Sequence, residues 1–361
     1  MKKILFTLIT ICLVFQAKSQ DKNYTQEEVN YWNTIDSMKI GGTLIMPKSG
    51  SKFPVVLFIT GSGQQDRDET ILGHKPFKII AEYLAGKGIA SLRVDDRGIG
   101  KSTGNMAKST GKDFVKDIIS GVEFLKNRKE IDPQKIGLIG HSEGGCLAPE
   151  VAVKSKNVAF IVSLAGGGVD GLSILTKQNF DILKASKVDT NLINSYLHTY
   201  FQPSINDILK ESDSKIMIAK TVAHMGDFKN EVGETSYKKL LPVSPYDTVY
   251  AKQVVAQLNS PWFRDFLKSN PADYWQQVKC PTLALNGTKD LQVDAELNLN
   301  NIERSLQKAG NKNYKIVRLQ NLNHLFQIAE TGSPSEYGKK TETPSKETLQ
   351  VIGDWILEVA K

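Results

Sequence analysis

Cysteine is scarce in this chain of 361 residues, which contains only three. Cys12 lies in an apolar run near the N-terminus, so Cys146 and Cys280 are the two that remain beyond it. Both have apolar neighbours, which favours buried free thiols over a disulfide framework. The sequence also lacks the ligand spacings typical of zinc and calcium sites. We therefore expect a fold that depends on its hydrophobic core, with no metal and no cofactor.

A strong charge of either sign is also missing. The formal net charge is +7, and the lysines are scattered instead of forming a dense block. A concentrated basic patch is the usual mark of a nucleic-acid surface, so nucleic acid is not an expected partner. The composition, with 40% hydrophobic and 24% charged residues, suits a large globular core plus an insertion.

No apolar run is long enough to cross a membrane. The longest, Ile4 to Phe15, follows two lysines and precedes an A-x-A-like site at residues 17–19. Twelve residues are too few to span a bilayer, and Cys12 lacks the small preceding residue of a lipoprotein signal. We predict that residues 1–19 are a cleaved secretory signal peptide. The protein would then be periplasmic or extracellular, without a stable membrane anchor.

The most informative stretch is Ile136 to Glu150, which reads IGLIGHSEGGCLAPE. It predicts a short buried strand, a G-x-S-x-G turn and a helix. Such a turn strains the backbone of its serine, and the flanking glycines avoid clashes with the strand and the helix. Ser142 would stand at the end of the strand, where the N–H groups of the helix favour an anion. The motif is short, so its meaning depends on finding a base, an acid and an oxyanion donor.

Strands and helices alternate along most of the chain, which predicts a mostly parallel, doubly wound α/β sheet. An antiparallel hairpin opens the fold at residues 28–33 and 39–46. The further strands are expected at 53–60, 89–94, 136–139, 158–164, 281–285 and 314–319, and the helices at 75–87, 113–127, 296–308 and 349–359.

The alternation stops between about Val169 and Gln277. This stretch has helical periodicity and is interrupted by prolines and a glycine, so we expect a helical insertion at residues 169–275. It would divide the sheet domain into a first part, 20–168, and a second part, 276–361.

Three polar residues follow predicted strand ends in the order serine, acid, histidine. They are Ser142, Asp290 and His324, and the ends of parallel strands meet at one edge of the sheet. This order is the one that a nucleophile elbow on such a sheet uses. His324 is the single histidine after the acid, whereas His141 is expected to point away from the site. Asp294 and, less plausibly, Glu296 are alternatives for the acid.

These segments together resemble the α/β-hydrolase superfamily, and within it the serine esterases related to dienelactone hydrolases and prolyl-oligopeptidase catalytic domains. The resemblance covers the chain beyond the signal peptide, apart from the details of the insertion. It implies an α/β-hydrolase fold with a helical cap. It also implies that DDRGIGKS at 95–102, whose Gly-Lys-Ser ending is similar to that of a phosphate loop, is a structural turn. The motifs are GSGQQDRD at 61–68, DDRGIGKS at 95–102, GHSEGG at 140–145, NGTKD at 286–290 and NHLF at 323–326.

The resemblance also implies a mechanism. Ser142 would form an acyl-enzyme, with His324 as the base and Asp290 orienting it. The oxyanion would be held by the N–H of Glu143 and by one N–H of the glycine-rich loop. That loop has Thr-Gly-Ser where many relatives have His-Gly-X, so the second donor stays open among Ser62, Gly63 and Gln64.

The function implied is that of a carboxylic-ester hydrolase acting on a small-molecule ester. A serine peptidase of small peptides is the alternative within enzymes, although the chain is too short for a propeller domain. An acyl-CoA thioesterase is disfavoured because CoA is scarce outside the cytoplasm. An inactive hydrolase fold that serves as a binding protein is the alternative outside enzymes. No pattern in the sequence identifies the ester or the oligomeric state.

The insertion is the expected source of the substrate pocket. In this superfamily a helical insertion after the strand that follows the nucleophile strand covers the mouth of the active site. Most of its aromatic residues must pack its own core, but some should line an acyl or alcohol pocket. We predict Trp262 and Phe263 for that position.

Overall fold

The computed structural model describes residues 23–361, so the predicted signal peptide lies outside the described residues. Eight strands form one sheet, in the order β1-β2-β4-β3-β5-β6-β7-β8. The strands are β1 (Tyr24–Asn33), β2 (Met38–Pro47), β3 (Phe53–Ile59), β4 (Ala90–Val94), β5 (Ile131–His141), β6 (Phe160–Leu164), β7 (Thr282–Gly287) and β8 (Tyr314–Leu319).

The sheet is mostly parallel. Only β1 and β2 run antiparallel, to each other and in the pairing of β2 with β4. The six strands from β3 to β8 pair in parallel. This architecture confirms the predicted α/β-hydrolase fold, including its opening hairpin.

Twelve α-helices accompany the sheet within residues 23–361. They are α1 (Pro76–Gly86), α2 (Gly111–Lys126), α3 (Glu143–Lys154), α4 (Gly171–Ala185), α5 (Thr190–Ser195), α6 (Gln202–Lys210), α7 (Ser214–Leu240), α8 (Thr248–Leu258), α9 (Pro261–Lys268), α10 (Ala272–Trp275), α11 (Ala295–Lys308) and α12 (Lys346–Val359). None of these helices combines the length and the apolar character that a membrane crossing requires.

The central strand β3 shows why the sheet is covered on both faces. Its sequence FPVVLFI is continuously apolar, and successive side chains of a strand point to opposite faces. Val55 and Leu57 belong to a core shared with α2, α3 and α11. Val56 and Phe58 belong to a second core, which α1 and α12 cover. The apolar stripe of the closing helix therefore docks on the sheet, as its periodicity predicts.

A helical segment, α4–α10, lies between β6 and β7. It has a small core of its own, in which Tyr200, Phe228 and Tyr237 are buried together. A second cluster of the segment contains Phe263, with Trp262 packed against it. Most aromatic residues of the insertion thus pack within it, in line with expectation.

The turn between β5 and α3 has the strained geometry that its sequence predicts. Ser142 has φ 53° and ψ −115°, a conformation that a residue with a side chain rarely adopts. A Cβ on Gly140 would overlap the carbonyl oxygen of Gly144, and one on Gly144 would overlap that of Ile59. Both flanking glycines are therefore required for the chain to turn this tightly.

Candidate active site

Ser142 stands at the tip of the turn, at the carboxyl end of β5. Its N–H donates to the carbonyl oxygen of Leu164 at 2.8 Å, which ties the turn to the neighbouring strand. Ser142 also precedes the first residue of α3, so it faces the free N–H groups of that helix. The glycine-rich loop after β3 lies beside it, because a Cβ on Gly61 would be 3.3 Å from the Cβ of Ser142.

Asp290 and His324 form a buried pair at the same edge of the sheet. His324 Nδ1 lies 2.7 Å from Asp290 Oδ2, and both side chains are buried. The other oxygen of Asp290 accepts the N–H groups of Gln292 and Val293 at 2.8 and 2.9 Å. Since Nδ1 must donate to the carboxylate, the other ring nitrogen of His324 is left free to accept a proton.

The alternative acids occupy other places. Asp294 caps α11 by accepting the N–H of Leu297 at 2.7 Å, and it forms an ion pair with Lys177 at 3.0 Å. Glu296 is paired with Arg318 at 2.6 Å. The structure thus brings Asp290, and neither alternative, against His324. The catalytic roles of Ser142, Asp290 and His324 stay predictions.

His141 is not directed away from the site, and our expectation for it was wrong. Its Nε2 lies 3.0 Å from the carbonyl oxygen of His324, and its Nδ1 lies 2.9 Å from Oε1 of Glu69. Glu69 was not among the predicted site residues; it sits in a polar loop yet is 1% exposed. A glutamate beside three acidic or basic neighbours carries no local signal of burial, so only the structure could identify it.

The glycine-rich loop is held from behind by two buried carboxyl groups. Gly61 N–H donates to Glu69 Oε1 at 2.7 Å, and Gln65 N–H donates to Asp96 Oδ2 at 2.8 Å. The hydroxyl of Thr60 donates to the other oxygen of Asp96 at 2.6 Å. Burial raises the pKa of Asp96 to about 7. The loop is therefore anchored at both ends around the three candidate donors Ser62, Gly63 and Gln64.

Glu143, the residue after the candidate nucleophile, has a buried side chain. Its Oε1 accepts the indole N–H of Trp262 at 2.7 Å. Burial raises the pKa of Glu143 to about 7, against the hydrogen bond from Trp262 and with the help of the charges on Asp96 and Asp265. The carboxyl group thus links the start of α3 to α9 of the helical segment.

Two cavities meet at Glu143. The first is open to solvent, has about 520 Å³ of empty volume, and is lined by Ser142, Ser62 and Glu143 together with Trp262, Phe263 and Phe266. The rings of Trp262 and Phe266 are stacked with their centroids 5.8 Å apart. The second cavity lies behind the glycine-rich loop and is mainly apolar. Glu143 therefore separates the cavity that contains Ser142 from a second, mainly apolar one.

Of the described residues, Cys146 and Cys280 are free cysteines, as predicted. Cys146 lines the cavity that contains Ser142, but burial raises the pKa of its thiol to about 12, so it is a poor nucleophile. Within residues 23–361, no group of three or more histidine, cysteine and acidic side chains is placed to hold a metal ion.

A doubly wound sheet with a strained serine turn and a buried histidine–aspartate pair, both at its carboxyl edge, defines the α/β-hydrolase class of folds. Residues 36–317 match the X-Pro dipeptidyl-peptidase (S15) family, and the chain belongs to that family. The superfamily implied by the sequence motifs is thereby confirmed.

Individual relatives are more distant. Esterase EstD of Thermotoga maritima is 25% identical over 321 residues, which cover 88% of this chain and 65% of the esterase. Thiohydrolase aneE of Aspergillus aculeatus is 27% identical over 147 residues, 40% of this chain and 42% of the relative. The match thus spans less than two thirds of either relative's length.

Solved structures share the fold. The Pyrococcus furiosus esterase Pf2001 superimposes with a TM-score of 0.56 at 17% identity, covering 95% of this chain and 94% of the other. The α/β hydrolase GrgF of Penicillium superimposes with a TM-score of 0.53 at 16% identity, covering 93% and 99%. At these identities the likeness concerns the fold alone.

Proposed function

We propose that this protein is a serine hydrolase that cleaves carboxylic esters through an acyl-enzyme on Ser142. The observation that carries the proposal is the buried pair of His324 and Asp290, 2.7 Å apart, at the sheet edge where the strained Ser142 stands. A buried carboxylate that fixes one ring nitrogen of a histidine leaves the other to act as a general base.

The reaction follows from these positions. As Ser142 Oγ attacks the ester carbonyl, His324 takes the hydroxyl proton, and the Asp290 carboxylate stabilises the imidazolium that forms. The Glu143 N–H and one N–H of the loop Ser62–Gln64 hold the negative oxygen. Losing one such donor typically lowers the rate by about 10²–10³-fold. His324 then protonates the departing alcohol, and water hydrolyses the acyl-enzyme by the same steps.

The second oxyanion donor is proposed to be the N–H of Ser62. The N–H groups of Gly61 and Gln65 already donate to carboxyl groups, so they are not free to bind a substrate oxygen. Of the three residues between them, Ser62 lines the cavity that contains Ser142.

An ester is favoured over a peptide for two reasons. The relative matched over most of this chain is named an esterase. The cavity beside Ser142 includes three aromatic and three aliphatic side chains, which suit an apolar substituent better than a polar peptide backbone. The family's name keeps hydrolysis of small peptides as the second candidate.

The test uses one probe and two substrate series. A fluorophosphonate probe should label the wild-type protein and fail to label Ser142→Ala. Nitrophenyl esters of increasing acyl length and X-Pro nitroanilides are then compared by kcat/KM. Faster turnover of esters supports the proposal, whereas faster turnover of the X-Pro anilides assigns a peptidase. A folded wild-type protein that is neither labelled nor active would be a binding protein.

The helical segment α4–α10 is proposed to act as a cap over the site, with Trp262 and Phe263 in the substrate pocket. In support, both residues line the cavity that contains Ser142. Trp262 also bonds to Glu143 across 119 positions of sequence. The natural partner would then be a small ester that enters between the cap and the sheet.

Export is likewise proposed, on the strength of the basic and apolar N-terminal stretch. Mass spectrometry of protein recovered outside the cytoplasm should show Gln20 at or near the N-terminus. An intact Met1 or a lipid-modified cysteine would contradict this proposal.

A further inference from the structure

Both ring nitrogens of His141 face hydrogen-bond acceptors. Nδ1 lies 2.9 Å from the Glu69 carboxyl, and Nε2 lies 3.0 Å from the main-chain carbonyl oxygen of His324. A neutral imidazole carries one N–H, so beside an ionised Glu69 one of these contacts would place two lone pairs against each other. Both contacts are satisfied when His141 carries a proton on each nitrogen.

Glu69 faces two N–H groups through one oxygen. Its Oε1 lies 2.9 Å from His141 Nδ1 and accepts the N–H of Gly61 at 2.7 Å. Its Oε2 is buried and has no hydrogen-bond partner among the described residues, so a charge on Glu69 requires the neighbouring His141 ring to compensate it. Burial works against the charged form of His141, but the Glu69 charge and hydrogen bond raise the pKa of His141 above its usual value.

We propose that Glu69 and His141 form a pair that is charged at neutral pH and that positions the base and the oxyanion loop of this enzyme. The proposal rests on the serine hydrolase function given above. Neither residue is placed against the substrate, so both are positioning residues. The Nε2–H of His141 holds the backbone of His324, while Glu69 holds the N–H of Gly61.

The pair connects all three parts of the candidate machinery. His141 directly precedes Ser142 in the chain, so its side chain is anchored to the nucleophile turn. His324 is then fixed twice, through its ring by Asp290 and through its carbonyl oxygen by His141. A displacement of about 1 Å in such a site can cost on the order of 10²-fold in rate, which is the effect that we assign to loss of the pair.

The titratable groups around His141 come from four loops of the sheet. Glu69 lies on one side, His324 on another with ring centroids 4.7 Å apart, and Asp290 behind His324. Asp96 lies beyond Glu69 on the loop after β4, and the uncharged ring of Phe326 fills a further side at 6.3 Å. When His324 accepts the serine proton, two carboxylates therefore balance two imidazolium rings.

The first test needs no variant. In a sample with ¹⁵N-labelled histidine, the ring signals of His141 between pH 7 and pH 8 should report two protonated nitrogens. The five histidines are assigned by single substitutions of the other four, His74, His198, His224 and His324. A neutral His141 ring at pH 7 would overturn the proposal, whatever substrate the enzyme uses.

The second test uses Glu69→Gln, with Asp66→Asn as the matched control. The introduced amide keeps an acceptor for the N–H of Gly61 but removes the charge that raises the pKa of His141. Asp66 lies in the same loop, and its side chain bonds to Thr70 and the N–H of Asp68 instead of His141. The rate of fluorophosphonate labelling is followed from pH 6 to pH 10, alongside a thermal melt.

We expect Glu69→Gln to lower the labelling rate by on the order of 10²-fold at pH 8. In the pH profile of the labelling rate, the alkaline limb of this variant should also move to lower pH, because His141 would lose its second proton at a lower pH. Asp66→Asn should leave both features in place. The positioning role would be refuted if the Glu69→Gln protein had the wild-type melting temperature, the wild-type labelling rate and the wild-type alkaline limb in its pH profile. Labelling that is absent even in the wild-type protein would instead refute the proposed function and leave the histidine spectrum as the test of the pair.

Discussion

Trp262 in α9 donates its indole N–H to Oε1 of Glu143, 2.7 Å away. This bond joins the helical segment to the residue whose backbone N–H is proposed to hold the oxyanion. The position of the helical segment and the geometry of the site are therefore connected through one buried carboxyl group. The first two predictions concern the two residues of this hydrogen bond, Glu143 and Trp262.

Glu143 should make the stability of the protein depend on pH. Burial raises its pKa from 4.5 to about 7, so the folded state holds this proton more tightly than the unfolded state does. The wild-type protein should then lose stability as the pH rises from about 4.5 to about 7, by at most about 3 kcal/mol from this group. Glu143→Gln keeps an acceptor for Trp262 and cannot ionise. Its melting temperature relative to wild type should increase between pH 5 and pH 8. The exposed Glu347→Gln is the control, and an equal pH response of both variants would contradict the prediction.

Trp262 should influence which esters are accepted. Trp262→Ala enlarges the cavity that contains Ser142, so the kcat/KM values of nitrophenyl esters should shift several-fold toward bulkier acyl groups, while probe labelling persists. Trp262→Phe keeps an aromatic ring and removes the N–H, which separates the loss of volume from the loss of the bond to Glu143. Trp32→Ala, at an exposed position on β1, is the control. An unchanged ranking with only a lower melting temperature would place Trp262 in the core of the segment.

Ser142 and His324 should act as a unit. Ser142→Ala and His324→Ala should each reduce turnover by several orders of magnitude without unfolding the protein. The double variant should cost little more than either single one, because each removes the same proton-transfer step. Single-turnover assays on a nitrophenyl ester measure the effect. A His324→Ala rate close to wild type would remove that residue from the mechanism.

Asp290→Asn should be severe, and Asp294→Asn should be mild. Asp290 bonds directly to His324, and an amide there disturbs the tautomer that the base needs, an effect worth about 10⁴-fold in kcat in a serine protease with the same triad. Asp294 instead caps α11 and pairs with Lys177. Replacing Asp294 should lower the melting temperature of the protein clearly and its kcat only mildly. The reverse pattern in kcat would show that the acid has been misassigned.

Ser142→Gly should be more stable than Ser142→Ala. The backbone at this position has φ 53° and ψ −115°, where a Cβ is strained and glycine is not. Strain of this kind costs about 1–3 kcal/mol, against which glycine adds about 0.4–1 kcal/mol of unfolded-state entropy. Denaturant titration of the two inactive variants gives the difference. Equal or lower stability of the glycine variant would show that the turn stores no strain.

Some of the tertiary structure is predictable because its causes are local. The glycines of the turn at 140–144 are dictated by atoms a few residues away, and the apolar run of β3 is enough to predict a strand buried on both faces. The edge at which Ser142, Asp290 and His324 meet follows from strand order, since parallel strands end on the same side. Tyr337 is buried on a short 3₁₀-helix, Pro334–Lys339, in a polar stretch that carries no local signal of burial. Its carbonyl oxygen accepts from Gln327 Nε2 at 3.1 Å and lies 2.9 Å from Nε2 of His74, 263 residues away.

The sequence by itself determined the sheet, the strained serine turn and the order of its candidate partners, because periodicity and turn chemistry act over a few residues. The tertiary structure alone decided that His141 touches His324, 183 residues away, and that Glu69 and Asp96 hold the glycine-rich loop. It also decided that Trp262 bonds to Glu143. These contacts join side chains from separate elements. Their distances and shared protons are set by how the elements pack, which no local pattern of residues records.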